Sequence, residues 1–243
     1  MKKLLISVHS RFDKIINRGY YSAAKEYSER LPEGFTLTFH AGALFTKPNT
    51  VESIRTALAY GAEVVEFDVS FRPDGTPVII HNSAPKEEEG VLLDSALAAV
   101  AKDEKCRINL DIKSTANLAE VDVLVRKHGL SDRVFYTGVF RDWVDAVKKS
   151  SAIPYYLNHN ITAEEAENAE LLQKLAEEII SIGAIGVNSH FGNATPLVTE
   201  IMRKNGLLVS LWTVNKTNDA VKVFSCLPDN ITTKNPHLIN NML

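Results

Sequence analysis

The stretch "AEVVEFDVS", Ala62–Ser70, decides how this chain is read. Val64, Val65, Phe67 and Val69 make it a strand, yet Glu66 and Asp68 stand two residues apart within it. Residues i and i+2 of a strand point to one face, so the two carboxylates lie side by side and repel. The segments on either side tell what surrounds them. Before it, "TLTFH" (36–40) reads as a strand and "TVESIRTALAYG" (50–61) as a helix ending at Gly61. After it, "RPDGTPVIIH" (72–81) reads as a hairpin turning at Asp74-Gly75.

The alternation continues to the end of the chain. "LLDSALAAVAK" is helical, "CRINLDIK" (106–113) a strand, and "LAEVDVLVRKHG" a helix stopped at Gly129. "RVFYTGV", "IPYYLNHN", "AIGVNSH", "LLVSLWTVN" and "DNITTK" are further strands, separated by helical segments. "TAEEAENAELLQKLAEEIISIG" (162–183) reads as one long helix, with Thr162 and Glu165 forming a capping box. The eight main strands fall at 36–40, 64–70, 107–113, 134–139, 153–159, 184–190, 207–215 and 229–234. Regular strand–helix alternation implies parallel strands, and eight such units make an α/β fold of the (β/α)8 TIM-barrel type. An open doubly wound sheet is the alternative. No Gly-rich phosphate loop follows the first strand, which weakens it. Residues 1–35 stand outside the repeat as an N-terminal helical extension packed on the barrel, with a helix in "YYSAAKEYSERL" (20–31); residues 36–243 form the barrel.

The chain has 243 residues, 45% hydrophobic and 23% charged, an ordinary globular composition. Its formal net charge of -3 gives no argument for nucleic acid or a membrane surface as partner. Cys106 and Cys226 form neither a CxxC nor a disulfide framework, which fits free thiols in a reducing compartment. "MKKLLISVHS" starts like a signal peptide, but its apolar run stops short of the ~7–15 residues a signal needs. No run approaches the ~18 apolar residues of a spanning helix. The expectation is a soluble cytoplasmic protein with a small-molecule substrate, no nucleic acid partner and no stable membrane anchor.

In such barrels the active site lies at the carboxyl ends of the strands. His40 ends the first strand, Glu66 and Asp68 lie late on the second, and His81 ends the following hairpin. Asn109, Asp111 and Lys113 share one face of the third; Trp212 and Asn215 are near the end of the seventh, and Lys234 follows the eighth. Three converging carboxylates need a cation, and oxygen-only ligands suit Mg²⁺ or Ca²⁺ rather than Zn²⁺. Asp111 taken alone could simply be neutralised by Lys113. Two imidazoles, a hard metal and a lysine together fit phosphate-ester cleavage. His159 and His190 close the fifth and sixth strands and are pocket-lining candidates. Tyr155-Tyr156 reads as core.

These motifs resemble the glycerophosphodiester phosphodiesterase family, whose barrels are related to phosphatidylinositol-specific phospholipase C. "HAGALFTKPNTVESIRTALAYGAEVVEFDVSFRPDGTPVIIHN" is similar to the family's HRG, ENT, helix, ExD strand, DGxxV and HD. "INLDIK" is similar to its NIEIK, "LWTVN" to its WTVN, and "DNITTKNP" to its DGIITDxP. The resemblance implies His40 and His81 as catalytic acid and base, and Glu66, Asp68 and Asp111 as ligands of a divalent cation. It implies Lys113 at the phosphate and Trp212 against the substrate. The implied reaction is metal-dependent hydrolysis of a glycerophosphodiester to glycerol 3-phosphate and an alcohol.

The departures are specific. Ala41 stands where the family has an arginine, and the ENT glutamate is missing. Their joint loss reads as a lost ion pair. Asn82 and Lys234 replace aspartates, and Asp111 replaces a glutamate. Arg72 or Lys234 could supply the missing cation at the substrate, although Arg72 reads equally well as a surface residue at a hairpin start. The short segment between His81 and "INLDIK" leaves little or no inserted subdomain, so an open site is expected. Two alternatives stand beside hydrolysis: a catalytically weak or silent phosphoester-binding barrel, and a sphingomyelinase D-like lyase that forms a cyclic phosphate.

Overall fold

The computed structural model describes residues 2–243. Its strands are β1 (Thr36–Phe39), β2 (Val64–Phe71), β3 (Pro77–Ile79), β4 (Val91–Leu92), β5 (Arg107–Ile112), β6 (Val134–Val139), β7 (Tyr155–Asn158), β8 (Gly186–His190), β9 (Leu208–Trp212) and β10 (Asn230–Thr233). All except the short β3 and β4 coincide with segments read as strands from the sequence, β2 running one residue further to Phe71, and helices follow them in the expected alternation. These are the repeating β/α units of the (β/α)8 TIM-barrel class. The chain divides into two compact units, Thr38–Asn158, and Met1–Leu37 with His159–Leu243.

In the unit Thr38–Asn158, all eight residues of β2 are buried. That is the condition of a strand covered on both faces. Strand β5 pairs with β2 in parallel along its whole length, setting Glu66 opposite Asn109 and Asp68 opposite Asp111. The other edge of β2 is shared. Its first residues pair in parallel with Thr38 and Phe39, and Val69–Phe71 pair antiparallel with β3. β4, which the sequence reading missed, extends that hairpin. Strands β6 and β7 continue the parallel run from β5.

In the other unit, β8, β9 and β10 are parallel, with Ser210 opposite both Asn188 and Asn230. The helix expected over 162–183 is two helices, Ala163–Glu167 and Ala169–Ile182. Asn168 breaks it: the residue is extended, and its side chain accepts from the amides of Glu170 and Leu171. A short amide competes well for backbone donors and so caps a helix better than it continues one. The Thr162–Glu165 capping box is present, and Gly183 ends the second helix in the left-handed region. Two helices precede β1: α1 (Lys2–Ile16), to which the reading of a helical extension gave no bounds, and α2 (Arg18–Ser28). Among the described residues, no helix is long and apolar enough to cross a membrane.

Candidate active site

The acidic cluster lies wholly within Thr38–Asn158. Parallel register puts Asp68 and Asp111 on adjacent strands at one level, and the two-residue period puts Glu66 on the same face as Asp68. One oxygen from each of the three carboxylates lies within 4.8 Å of the others. Glu66 and Asp68 are 6% and 5% exposed, so water does not disperse their charge. Lys113 Nζ reaches Asp111 Oδ2 at 2.6 Å and Asp68 Oδ1 at 3.0 Å.

One ammonium cannot neutralise three carboxylates, and the pair in "VVEFDVS" splits accordingly. Burial, then Asp68 and Asp111, push the Glu66 carboxyl well above its ordinary range. Burial also opposes charge on Asp68, but Lys113, a hydrogen bond from Asn49 and the nearby His81 outweigh it and hold Asp68 below the usual value. Lys113 pays for desolvation too, and Asp111 and Asp68 raise its pKa in spite of it.

The two histidines meet this cluster from separate loops. His40 follows β1; its Nδ1 lies 2.9 Å from the Ala41 carbonyl and 3.7 Å from Glu66 Oε2. A carbonyl only accepts, so Nδ1 carries a proton. His81 follows β3, is largely exposed, and places Nδ1 3.3 Å from Asp68 Oδ1. Ala41 is buried and contributes its main chain, donating its amide to Glu66 Oε2 at 2.7 Å.

Asn49 was missed as a functional residue. Its amide donates to Asp68 Oδ2 at 2.6 Å, and its carbonyl oxygen accepts from the Asp68 amide at 3.0 Å. It sits at φ 55, a conformation asparagine tolerates better than most residues. Its place in the "NT" pair before a helix was the available signal. Thr137 Oγ1 lies 2.8 Å from Asn109 Oδ1 and 3.2 Å from Asp111 Oδ1. Gly138 has φ 77, and a Cβ there would run into Asp111 Oδ1 and the Ile112 carbonyl.

Other residues singled out in the sequence stand elsewhere. The Arg72 guanidinium donates to the carbonyls of Glu89 and Gly90, closing the turn before β4. Asn82 is exposed and holds its own loop through Ala84. Trp212 and Lys234 belong to the second unit. The indole Nε1 of Trp212 is buried with no acceptor among the described residues, and its ring stands edge-on to His190. Lys234 is exposed, its amide donating to Asn215. His159 is tied to Glu165 at 2.9 Å.

The donor set is all oxygen, convergent and richer in negative charge than its lysine can balance, with Glu66 and Asp68 buried and Asp111 half-buried. It fits a hard divalent cation held by Glu66, Asp68 and Asp111.

A TIM barrel with paired carboxylates, two histidines and a lysine on neighbouring strand ends belongs with the metal-dependent phosphodiesterases. The model of the glycerophosphoryl diester phosphodiesterase family matches residues 40–96 and 86–238, and the chain belongs to that family. A glycerophosphodiester phosphodiesterase of Caldanaerobacter subterraneus subsp. tengcongensis is 24% identical over 222 residues, covering 80% of this chain and 91% of that protein. The same fold occurs in a glycerophosphoryl diester phosphodiesterase structure from Silicibacter pomeroyi (TM-score 0.71, 18% identity, 86% of this chain and 93% of that one). It occurs again in an Oleispira antarctica phosphodiesterase in complex with the product sn-glycerol-3-phosphate (TM-score 0.71, 17% identity, 89% and 98%).

Proposed function

We propose that this chain, a phosphoric diester hydrolase by family, cleaves glycerophosphodiesters to glycerol 3-phosphate and an alcohol, using Mg²⁺ or Ca²⁺ held by Glu66, Asp68 and Asp111. The observation that carries the reading is the convergent three-carboxylate cluster, two of its members buried, with His40 and His81 on its two flanks. The product named in the Oleispira complex supports the substrate class. The cation would polarise the phosphoryl group and offset its charge.

The chain's own groups divide the remaining work. His40 Nε2, whose lone pair in the neutral ring is set by the Nδ1–H bond to Ala41, takes a proton from the attacking water. His81, held by its Nδ1 contact of 3.3 Å with Asp68 Oδ1, gives a proton to the departing alcohol oxygen. A water–phosphorus bond forms, the phosphorus–alkoxy bond breaks, and the two protons balance. Lys113 has three N–H groups; two meet Asp111 and Asp68, and the third is available for a phosphoryl oxygen. Asn49 and Thr137 are positioning residues for Asp68 and Asp111. The two free, buried cysteines agree with action in the cytoplasm.

Phosphorus NMR on glycerophosphocholine and glycerophosphoethanolamine tests this. Protein treated with EDTA is expected to be inert and to release glycerol 3-phosphate once Mg²⁺ or Ca²⁺ is restored. No EDTA-sensitive turnover of either diester would sink the proposal. A cyclic phosphate as end product would replace hydrolysis by lyase chemistry.

A further inference from the structure

Helix α1 presents two different faces. One face is built into its unit: Ile6 is buried, His9 Nδ1 lies 2.8 Å from His237 Nε2, and Asp13 accepts from Asn17 and from the Tyr21 hydroxyl. The other carries Leu4, Leu5, Val8, Phe12, Ile15 and Ile16, exposed from 43% at Val8 to 76% at Ile16. At 3.6 residues per turn these six side chains fall within about 120° of arc. They form one continuous stripe along the helix, more than the scattered single apolar residues of an ordinary surface.

The charges on α1 say what covers the stripe. Arg11 and Lys14 lie on the polar side beside it with Lys3, and Arg18 follows at the start of α2. All four are exposed. The acid of the helix, Asp13, is turned inward and engaged. A chain of net charge -3 has therefore placed a basic border beside its apolar helix face. A second copy is a poor occupant, because an antiparallel two-fold pairing brings each flank against itself, Arg11 and Lys14 included. An anionic lipid surface suits both parts: apolar side chains enter the acyl boundary while Lys and Arg reach the headgroups. We infer that α1 lies in the plane of anionic membranes and docks the protein there reversibly, without spanning the bilayer. The inference concerns where the protein sits and does not depend on the reaction assigned above.

Vesicle co-sedimentation of the whole chain tests it. The protein is expected to sediment with phosphatidylglycerol/phosphatidylcholine vesicles at low salt and to bind phosphatidylcholine alone at least ~10-fold more weakly, with the difference shrinking in ~0.5 M NaCl. The double variant Phe12→Glu/Ile15→Glu should lose at least ~10-fold in vesicle affinity, and Arg11→Glu/Lys14→Glu should lose the preference for anionic lipid. Unchanged far-ultraviolet circular dichroism certifies folding of each pair, and the second pair serves if the first unfolds. Wild-type protein left in the supernatant with anionic vesicles at low salt would overturn the inference. So would vesicle binding untouched by both pairs, or a self-associated protein made monomeric by Phe12→Glu/Ile15→Glu with no lipid binding.

Discussion

Each of the two units buries a row of polar side chains across parallel strands, and the rows differ in kind. In Thr38–Asn158 the row is ionic: Glu66 and Asp68 on β2 face Asn109 and the half-buried Asp111 on β5. In the unit of Met1–Leu37 and His159–Leu243 it is neutral. Asn188, Ser210 and Asn230 stand level, and Ser210 hydrogen-bonds Asn230 at 3.1 Å. Amides and hydroxyls can satisfy one another when buried, at small net cost. Carboxylates cannot, and burying them in excess of their cations costs several kcal/mol. The neutral row is explained by folding alone. The ionic row is left with charge its lysine does not balance, which is why the proposed chemistry is assigned to one unit.

Acid–base variants should break the symmetry between the units most sharply. His40→Ala and His81→Ala should each lower kcat by ~100-fold or more. His159→Ala and His190→Ala, whose rings are engaged by Glu165 and Phe191, should stay within about threefold. Steady-state kinetics at saturating metal check this, and a large loss at His159 would move catalysis out of Thr38–Asn158.

The units should also respond oppositely to pH. His237 is buried, and burial, then His9, pull its pKa down from 6.5 to about 4. Between those values the unfolded state binds the extra proton, so stability falls as pH drops through the window, by up to about 3 kcal/mol. Glu66 has the reverse sign. Its folded pKa is raised, the folded state holds the extra proton, and metal-free stability falls as pH rises above about 4.5. Denaturant melts in EDTA from pH 4 to 8 should show His237→Gln flattening the acid side and Glu66→Gln the neutral side.

Glycine replacements sharpen the contrast on a smaller scale. At Gly186 an added Cβ would strike the Leu208 backbone, and at Gly138 it would strike both backbone and the Asp111 carboxylate. Each alanine should cost about 2 kcal/mol in a denaturant melt. Only Gly138→Ala should also weaken metal binding by the folded protein.

Much of this was legible in the sequence because its carriers are periodic or local. Alternating segments placed the eight parallel strands, and Thr162–Glu165 marked its helix start. The two-residue spacing of Glu66 and Asp68 predicted a shared face, and parallel register supplied Asp111. What escaped depends on longer reach or on competition. Asn49 acts on Asp68 from 19 positions away, at a backbone angle no local pattern announces. Asn168 stops a helix that the acidic, helix-favouring residues around it would continue. Arg72 has the parity of Glu66 and Asp68, but carbonyls of a turn 17 residues onward claim its guanidinium. Residues 1–35 read as a helical extension, but the apolar face of α1 points outward, against the rule by which amphipathic helices are placed on a core.

The need of the ionic row for a cation is open to direct measurement. Mg²⁺, then Ca²⁺, is titrated calorimetrically into EDTA-stripped protein near pH 7, in buffers of different ionisation enthalpy. A single divalent ion should bind, with proton release that grows as pH falls because burial favours the neutral Glu66 carboxyl and the cation the charged one, and Asp68→Asn and Asp111→Asn should each weaken binding by at least ~10-fold. Folded protein that takes up neither cation, or binding that ignores both substitutions, would contradict the assignment of Glu66, Asp68 and Asp111 as a metal site.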